Sequence, residues 1–333
     1  MLKNKLFLLF ILFAFLSSCF DPQKHPMSSS GGGTSEILVV MEKHYWEKES
    51  GKAIKDYLGQ FQYGLNQEEP IFKLINIPEA SLNDIYKKHR NLLWVDINKS
   101  KAEKFELKKN VWSQPQSIFK FSAPSEEAFI RLFQDNKESV MEGYKESERE
   151  RINSAFKPSV KIEHAHKMNK LFGFNLAVPK SFYWAIEDEN FLWLRKETKD
   201  FSQAIVVYTK LYTDTADLNK ESLIAFRDSS LKKHIQGTEI NSYMGTETTV
   251  TPQTKKIVFK EMYAIEMRGF WRQYGGGFMG GPFLSYSFVD ENTGRLISIE
   301  GYVQYPNENK RDLLLQLEAI LHTFKFAEEE SKE

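Results

Sequence analysis

Ile37-Leu38-Val39-Val40-Met41, Ile71 to Ile77 and Leu92-Leu93-Trp94-Val95-Asp96-Ile97 decide the fold of the first half of this chain. Each is a short apolar run bounded by polar residues, the length and composition of a buried strand. Between the first two, Lys52 to Leu58 places Ile54 and Leu58 four apart, which is helical spacing. Pro78 ends the second run, and Ser81 is positioned to cap a short helix carrying Leu82, Ile85 and Tyr86. Strands alternating with helices in this way predict an open sheet with helices packed on it. Gln116 to Phe121 adds a strand, and Ser125 followed by Glu126 and Glu127 is a strong helix start. That helix reads on to Phe156, with Phe129, Phe133, Val140, Tyr144 and Ile152 along one side. The opposite side, with Lys145, Glu146, Glu148, Arg149, Glu150 and Arg151, reads as a solvated face laced by i,i+4 pairs.

A second unit begins near Lys157-Pro158. Val160 to Leu171 reads as helix, and strands follow at Phe174 to Val178, Phe191 to Leu194 and Ala204 to Tyr212. Asp217 to His234 is an amphipathic helix with Leu223, Ile224, Phe226, Arg227 and Leu231 on one side. Further strands are predicted at Ile257 to Arg268, Phe283 to Val289 and Arg295 to Val303, the last two joined by an Asn292-Thr293-Gly294 turn. Asn309 to Leu321 closes the unit as a helix. The expectation is an α+β protein of two α/β sandwich-like units, residues 36–156 and 157–327, each a mostly antiparallel or mixed sheet packed with helices. An acidic tail, 328–333, follows. Phe72 to Pro78 and Phe174 to Pro179 share an outline, and each precedes an Asn-Φ-Leu-Trp strand at Asn91 and Asn190. That match leaves two readings open: an internal duplication, or two unrelated strand–turn–strand units that share a Pro and a Trp.

The first residues carry an address. Lys3 and Lys5 precede eleven apolar residues, Leu6 to Leu16, and then Ser17-Ser18-Cys19. A basic start, a short apolar run and small residues form a secretory signal peptide, here 1–18, too short to span a bilayer. Leu16-Ser17-Ser18-Cys19 fits the lipobox, so lipidation is expected at Cys19, the single cysteine. With that sulfur acylated, disulfides, thiolate metal sites and cysteine nucleophiles are excluded. Residues 19–35, rich in Ser, Gly and Pro, read as a coil tether with a reach of about 20 Å. After Cys19 come Phe20 and Asp21, without a run of acids. The expected location is therefore the cell envelope, anchored to the outer membrane with the body in the periplasm. Lys+Arg and Asp+Glu both number 45, a balance that offers no field for nucleic acid.

Tyr274-Gly275-Gly276-Gly277-Phe278-Met279-Gly280-Gly281-Pro282-Phe283 is the most unusual stretch. It lacks the Lys and Ser or Thr that a phosphate loop needs, and Pro282 removes a backbone donor. With the arginines and aromatics beside it, it forms the candidate ligand or partner loop: Arg268, Trp271, Arg272, Tyr274, Gly276, Phe278, Gly281 and Phe283. Glu163-His164-Ala165-His166 lies on a predicted helix where the two imidazoles diverge, so both read as surface histidines. No metal site and no cofactor is expected. No Gly-x-Ser-x-Gly elbow is present, and no set of catalytic residues is recognisable.

Ile37-Leu38-Val39-Val40 with Trp46, Gly64 to Pro70, Phe191 to Arg195, Gly269-Phe270-Trp271, Met279 to Phe283, Gly301-Tyr302-Val303 and Pro306 with Lys310-Arg311 resemble an uncharacterised lipoprotein family of Bacteroides-like Gram-negative bacteria. The resemblance spans nearly the whole mature chain and implies a lipid-anchored envelope protein, with no activity or site residues attached. In element order alone the second half also resembles the α/β/α sandwich of photosystem PsbP-type proteins, a fold analogy without functional weight. The reading that follows is a non-catalytic module binding a protein or other envelope partner. The alternative is a hydrolase, or a glycan- or small-ligand-binding protein, using a cleft between the units. A hydrolase of that kind requires two buried carboxylates facing each other across a pocket.

Overall fold

The structure, a computed structural model, describes residues 27–327 other than Thr238. Cys19, the signal segment and the acidic tail lie outside the described residues. The amino-terminal unit is a five-stranded sheet in the order β2-β1-β3-β5-β4. Its strands are β1 (Glu36–Val40), β2 (Lys73–Ile77), β3 (Asn91–Ile97), β4 (Lys104–Lys109) and β5 (Ser117–Ala123). All run parallel except β4, which is antiparallel to β5. Strand periodicity sends Ile37, Val39 and Met41 to one face, where α1 (Glu49–Leu58) and α2 (Glu126–Phe156) cover them. Leu38 and Val40 point to the other face, covered by loop residues such as Leu82 and Trp112. Ser125 caps α2 as expected, accepting from Ala128 N at 3.3 Å.

The carboxy-terminal unit is a curled antiparallel sheet in the order β10-β12-β13-β14-β9-β8-β7, with β11 added on β12. The strands are β7 (Tyr183–Asp188), β8 (Phe191–Glu197), β9 (Ser202–Leu211), β10 (Tyr243–Thr246), β11 (Gln253–Phe259), β12 (Met262–Tyr274), β13 (Gly280–Asp290) and β14 (Arg295–Gln304). One face packs on α3 (Ile162–Phe172) and α5 (Arg311–Leu321), and the other on α4 (Lys220–His234). With both faces covered, β9, β13 and β14 are nearly continuous buried runs. The short pair β6 (Phe174–Asn175) and β15 (Lys325–Phe326) stands apart.

The chain is α+β in two parts, and several finer expectations are corrected. The duplication is not there: Lys73–Ile77 pairs in a parallel sheet, whereas Phe174–Asn175 pairs only with Lys325–Phe326. Pro78 directly follows β2, whereas Pro179 lies four residues beyond the two-residue strand Phe174–Asn175, so the shared spacing marks two different local structures. The predicted strand Ile257 to Arg268 is a hairpin turning at Lys260 and Glu261, both at positive φ (50° and 68°). Its turn lacks the Gly or Asn that marks such a bend. Part of the tether is also ordered. Ser29 bridges to Gln114 and Gly31 to His89, so residues 28–35 lie strapped along the first unit. Backbone hydrogen bonding outweighs a coil-like composition there.

The charged side of α2 is only partly a solvated face: Glu146 and Glu150 are exposed, but the residues between them are not. Glu148 is buried and accepts from Asn91 Nδ2 at 2.9 Å, Ser35 N at 3.3 Å and Arg151 at 3.0 Å. Arg149 reaches across to Glu318 on α5 at 3.1 Å. The second link between the units is a cap. Glu69, in the loop before β2, accepts from the backbone N–H groups of Lys310 (2.7 Å) and Arg311 (3.0 Å) at the start of α5. A carboxylate there satisfies orphan donors and meets the positive end of the helix. Gly64 to Pro70 and Lys310-Arg311, both among the stretches carrying the family resemblance, meet at this contact.

Candidate functional site

The eight candidate loop residues sit on β12, β13 and the turn between them, but the structure divides them among three places. Strand alternation sends Arg268 toward α5, where it is buried and bonded to Glu266 (2.8 Å) and Glu318 (2.8 Å). Trp271 and Phe283 point the opposite way, toward α4, and both are buried. Trp271 Nε1 donates to the Val303 carbonyl at 3.2 Å. Gly281 lies against the same strand, where a Cβ would fall 2.1 Å from that carbonyl oxygen. Tyr274 donates to the Thr246 carbonyl at 2.7 Å, and Arg272 pairs with Glu247 at 3.1 Å. At the tip, Gly275, Gly276 and Gly277 all take positive φ, which makes the turn a glycine structure, and Phe278 stands fully exposed.

Trp271 opens onto a pocket of about 250 Å³ beyond the carboxyl end of α4. Trp193, Trp271, Tyr302, Met244 and Met279 supply apolar walls, and Gln236, Gln273 and Gln304 supply amides. Trp193 Nε1 donates to the Tyr302 hydroxyl at 3.0 Å, and Arg195 stacks over the Trp193 ring at 4.6 Å. Burial holds the Tyr302 phenol well above its ordinary pKa, so it stays neutral. The decisive group is Gln273. It is 5% exposed, yet neither its amide oxygen nor its amide nitrogen has a hydrogen-bond partner among the described residues. A buried amide left unpaired costs about 1–3 kcal/mol, so its persistence calls for an explanation. Gly237 leaves it room, since a Cβ there would lie 2.2 Å from Gln273 Nε2.

Other concavities carry less. One of about 1020 Å³ is an open groove by Tyr263 and Asp290. The Asp290 carboxylate there is already taken by Asn292 N and Thr293 Oγ1. Between the units, Glu266 and Glu318 do line one pocket of about 350 Å³, together with Tyr286 and His322. They are joined through Arg268 rather than left to face each other. For both, burial favours the neutral acid, but Arg268 outweighs it and holds each carboxyl below the usual range. Two permanently ionised carboxylates on a guanidinium make an ion cluster, not an acid–base pair.

His164 is buried, not on the surface. Its Nδ1 accepts from Trp184 Nε1 at 2.6 Å, which leaves Nε2–H to donate to the Phe182 carbonyl at 2.9 Å. Burial pushes its pKa down. Among the described residues no cluster of three or more His, Cys, Asp or Glu side chains is placed to hold a metal ion.

Two family models match the chain, each described as a domain of unknown function. Residues 161–323 match Domain of unknown function (DUF4837), and residues 30–157 match Domain of unknown function (DUF8532). No curated protein matches. Among solved structures, the Saccharomyces cerevisiae Ran-binding protein Mog1p is 14% identical over 47% of this chain and 91% of its own, at a TM-score of 0.32. LpqN, involved in cell envelope biogenesis of Mycobacterium tuberculosis, is 10% identical over 46% of this chain and 83% of its own, at a TM-score of 0.27. Likenesses at that level carry no functional argument.

Sequence reasoning picked out the loop but passed over Gln273, Tyr302 and Gln304. The parity of β12 held the missing signal. Met267, Trp271 and Gln273 share one face, so a glutamine two residues after a buried tryptophan points inward.

Proposed function

We propose that the protein is a non-catalytic binding module of the cell envelope, lipid-anchored at Cys19 to the outer membrane with its body in the periplasm. The pocket under the β12–β13 turn receives an uncharged polar ring with an apolar face, such as a pyranose presented by an envelope partner. The single observation that carries this reading is the unpaired Gln273 amide inside walls of Trp193, Trp271 and Tyr302. Indole faces stack on the apolar side of such a ring while an amide bonds its polar edge. Among the described residues no carboxylate and no histidine lines the pocket. Phe278 and Arg272 at the rim are placed to touch whatever carries the ring. The anchor rests on residues 1–19. Among the described residues no helix is long and apolar enough to cross a membrane.

The test uses the tryptophans already present. Titrating the full chain with N-acetylglucosamine is expected to change indole fluorescence saturably, and Gln273→Met is expected to abolish the response. The same substitution removes two unpaired polar atoms and is expected to raise unfolding stability by about 1–2 kcal/mol. A variant that loses stability as well as response would mark Gln273 as a structural residue and end this reading.

A further inference from the structure

We infer that a groove at the amino-terminal edge of the parallel sheet is an oxyanion site that takes a phosphate group. The groove, about 290 Å³, is lined by Arg90, Lys109, Gln114, Ser117, Glu150 and Arg151. Arg90 is half-buried just before β3, and its Nε donates to the Gly31 carbonyl at 3.2 Å. Its two terminal nitrogens have neither a carboxylate nor another acceptor among the described residues. Arg151 does have a partner, because Glu148 takes it at 3.0 Å and is saturated by Asn91 and the Ser35 N–H. Lys109 bonds only the Ser147 hydroxyl, at 3.1 Å. Set against these cations, Glu150 on the exposed rim is the one carboxylate without a partner, so the groove keeps a positive surplus. Burial and then the neighbouring Arg151 both disfavour the charge on Arg90, a cost that an anion between the two guanidiniums would relieve. A planar guanidinium with two free N–H edges is suited to phosphate oxygens.

Position points to the source of that phosphate. Ser28 accepts from Gln114 N at 2.9 Å, so the strap arrives from the chain's start at the lip of the groove. Nine chain steps lead from Cys19 to Ser28, a span of no more than about 32 Å even fully extended. This step rests on the lipid anchor proposed above. If Cys19 is acylated, the groove is held within reach of phospholipid headgroups.

The experiment is calorimetric titration of the full chain in a non-ionic detergent, with inorganic phosphate in one arm and dihexanoyl-phosphatidylglycerol below its micellar concentration in the other. Both are expected to bind, more weakly as salt rises. Arg90→Gln and Lys109→Gln are each expected to weaken both by about tenfold. Lys109 is exposed, so its variant keeps the fold even if losing Arg90 loosens the strap. Binding of inorganic phosphate without the lipid would overturn the headgroup as source. No heat in either arm, or heat unchanged in both variants, would overturn the site. Gln273→Met leaves these titrations unchanged, so failure of the ring pocket is read separately. Intact mass of the purified chain reports on Cys19 independently.

Discussion

Glu300→Ala is expected to cost about 3–5 kcal/mol of folding stability, the usual penalty for orphaning one member of a buried ion pair. Arg227 on α4 and Glu300 on β14 are both fully buried. They meet in a two-point contact, Nε to Oε2 at 2.8 Å and NH2 to Oε1 at 2.7 Å. The remaining nitrogen of Arg227, Nη1, donates to Thr246 Oγ1 at 2.9 Å, and the Tyr208 hydroxyl donates to Glu300 at 3.1 Å. The guanidinium lies over the Phe283 ring at 3.8 Å. Every polar atom is thus satisfied, and removing the carboxylate leaves a fully buried cation whose nearest remaining carboxylate is the partly exposed Asp228, 3.7 Å from Nη1. Most small domains have only about 5–15 kcal/mol in hand, so the variant would sit near the edge of folding. The companion variant Arg227→Met with Glu300→Leu removes both charges and is expected to recover most of the loss. Urea midpoints for the two singles and the double decide it. If the double is no better than Glu300→Ala, the loss comes from packing rather than from the stranded charge.

That pair also shows where a sequence can and cannot be read. Leu223, Arg227 and Leu231 follow helical spacing, so the arginine's inward side was legible, but its partner 73 residues away was not. The same limit hid the contact between the units. On α2 the cap at Ser125 and the apolar stripe through Phe129 and Tyr144 are local signals, and both stand in the structure. Glu148 and Arg149 read as solvated because charge on a helix usually is. What buries them is a strap from residues 28–35 and a helix beginning at Arg311. The strap itself was illegible because Ser and Gly stretches differ from coil only when a sheet edge lies within hydrogen-bonding reach. The candidate loop was legible as unusual, since three consecutive glycines at positive φ permit little substitution. That Gln273 turns inward beneath it depended on strand parity, which needs correct strand bounds. The bounds of β12 were obscured by a turn at Lys260-Glu261 built without glycine.

Acidification from pH 7 to 5 is expected to weaken the fold through His322. His322 packs beside Phe259 and Tyr286 at the unit interface, with its Nε2 3.2 Å from the Tyr286 hydroxyl. Burial, and then the nearby Arg149 charge, push its pKa down to about 3. In the unfolded chain the same imidazole titrates near 6.5. Between these values the unfolded state takes up a proton that the folded state refuses. Stability from the neutral imidazole is therefore complete above about pH 6.5 and declines as pH falls toward about 3, at up to about 1.4 kcal/mol per unit. Glu318, held low by Arg268 and Arg149 against its own burial, acts in a lower window. Its contribution persists until the unfolded carboxylates protonate near pH 4 and is lost below that. His164 and His234 are also depressed by burial, so the whole protein's slope is not that of one residue. His322→Phe isolates the term, keeping an aromatic ring beside Phe259 without a titrating nitrogen. Between pH 7 and 5 the native chain is expected to lose about 1–2 kcal/mol more than the variant, measured by urea unfolding at each pH. Equal losses in the two proteins would show that His322 gains its proton in the folded state as readily as in water. Neither its burial nor the Arg149 charge would then be holding the imidazole neutral.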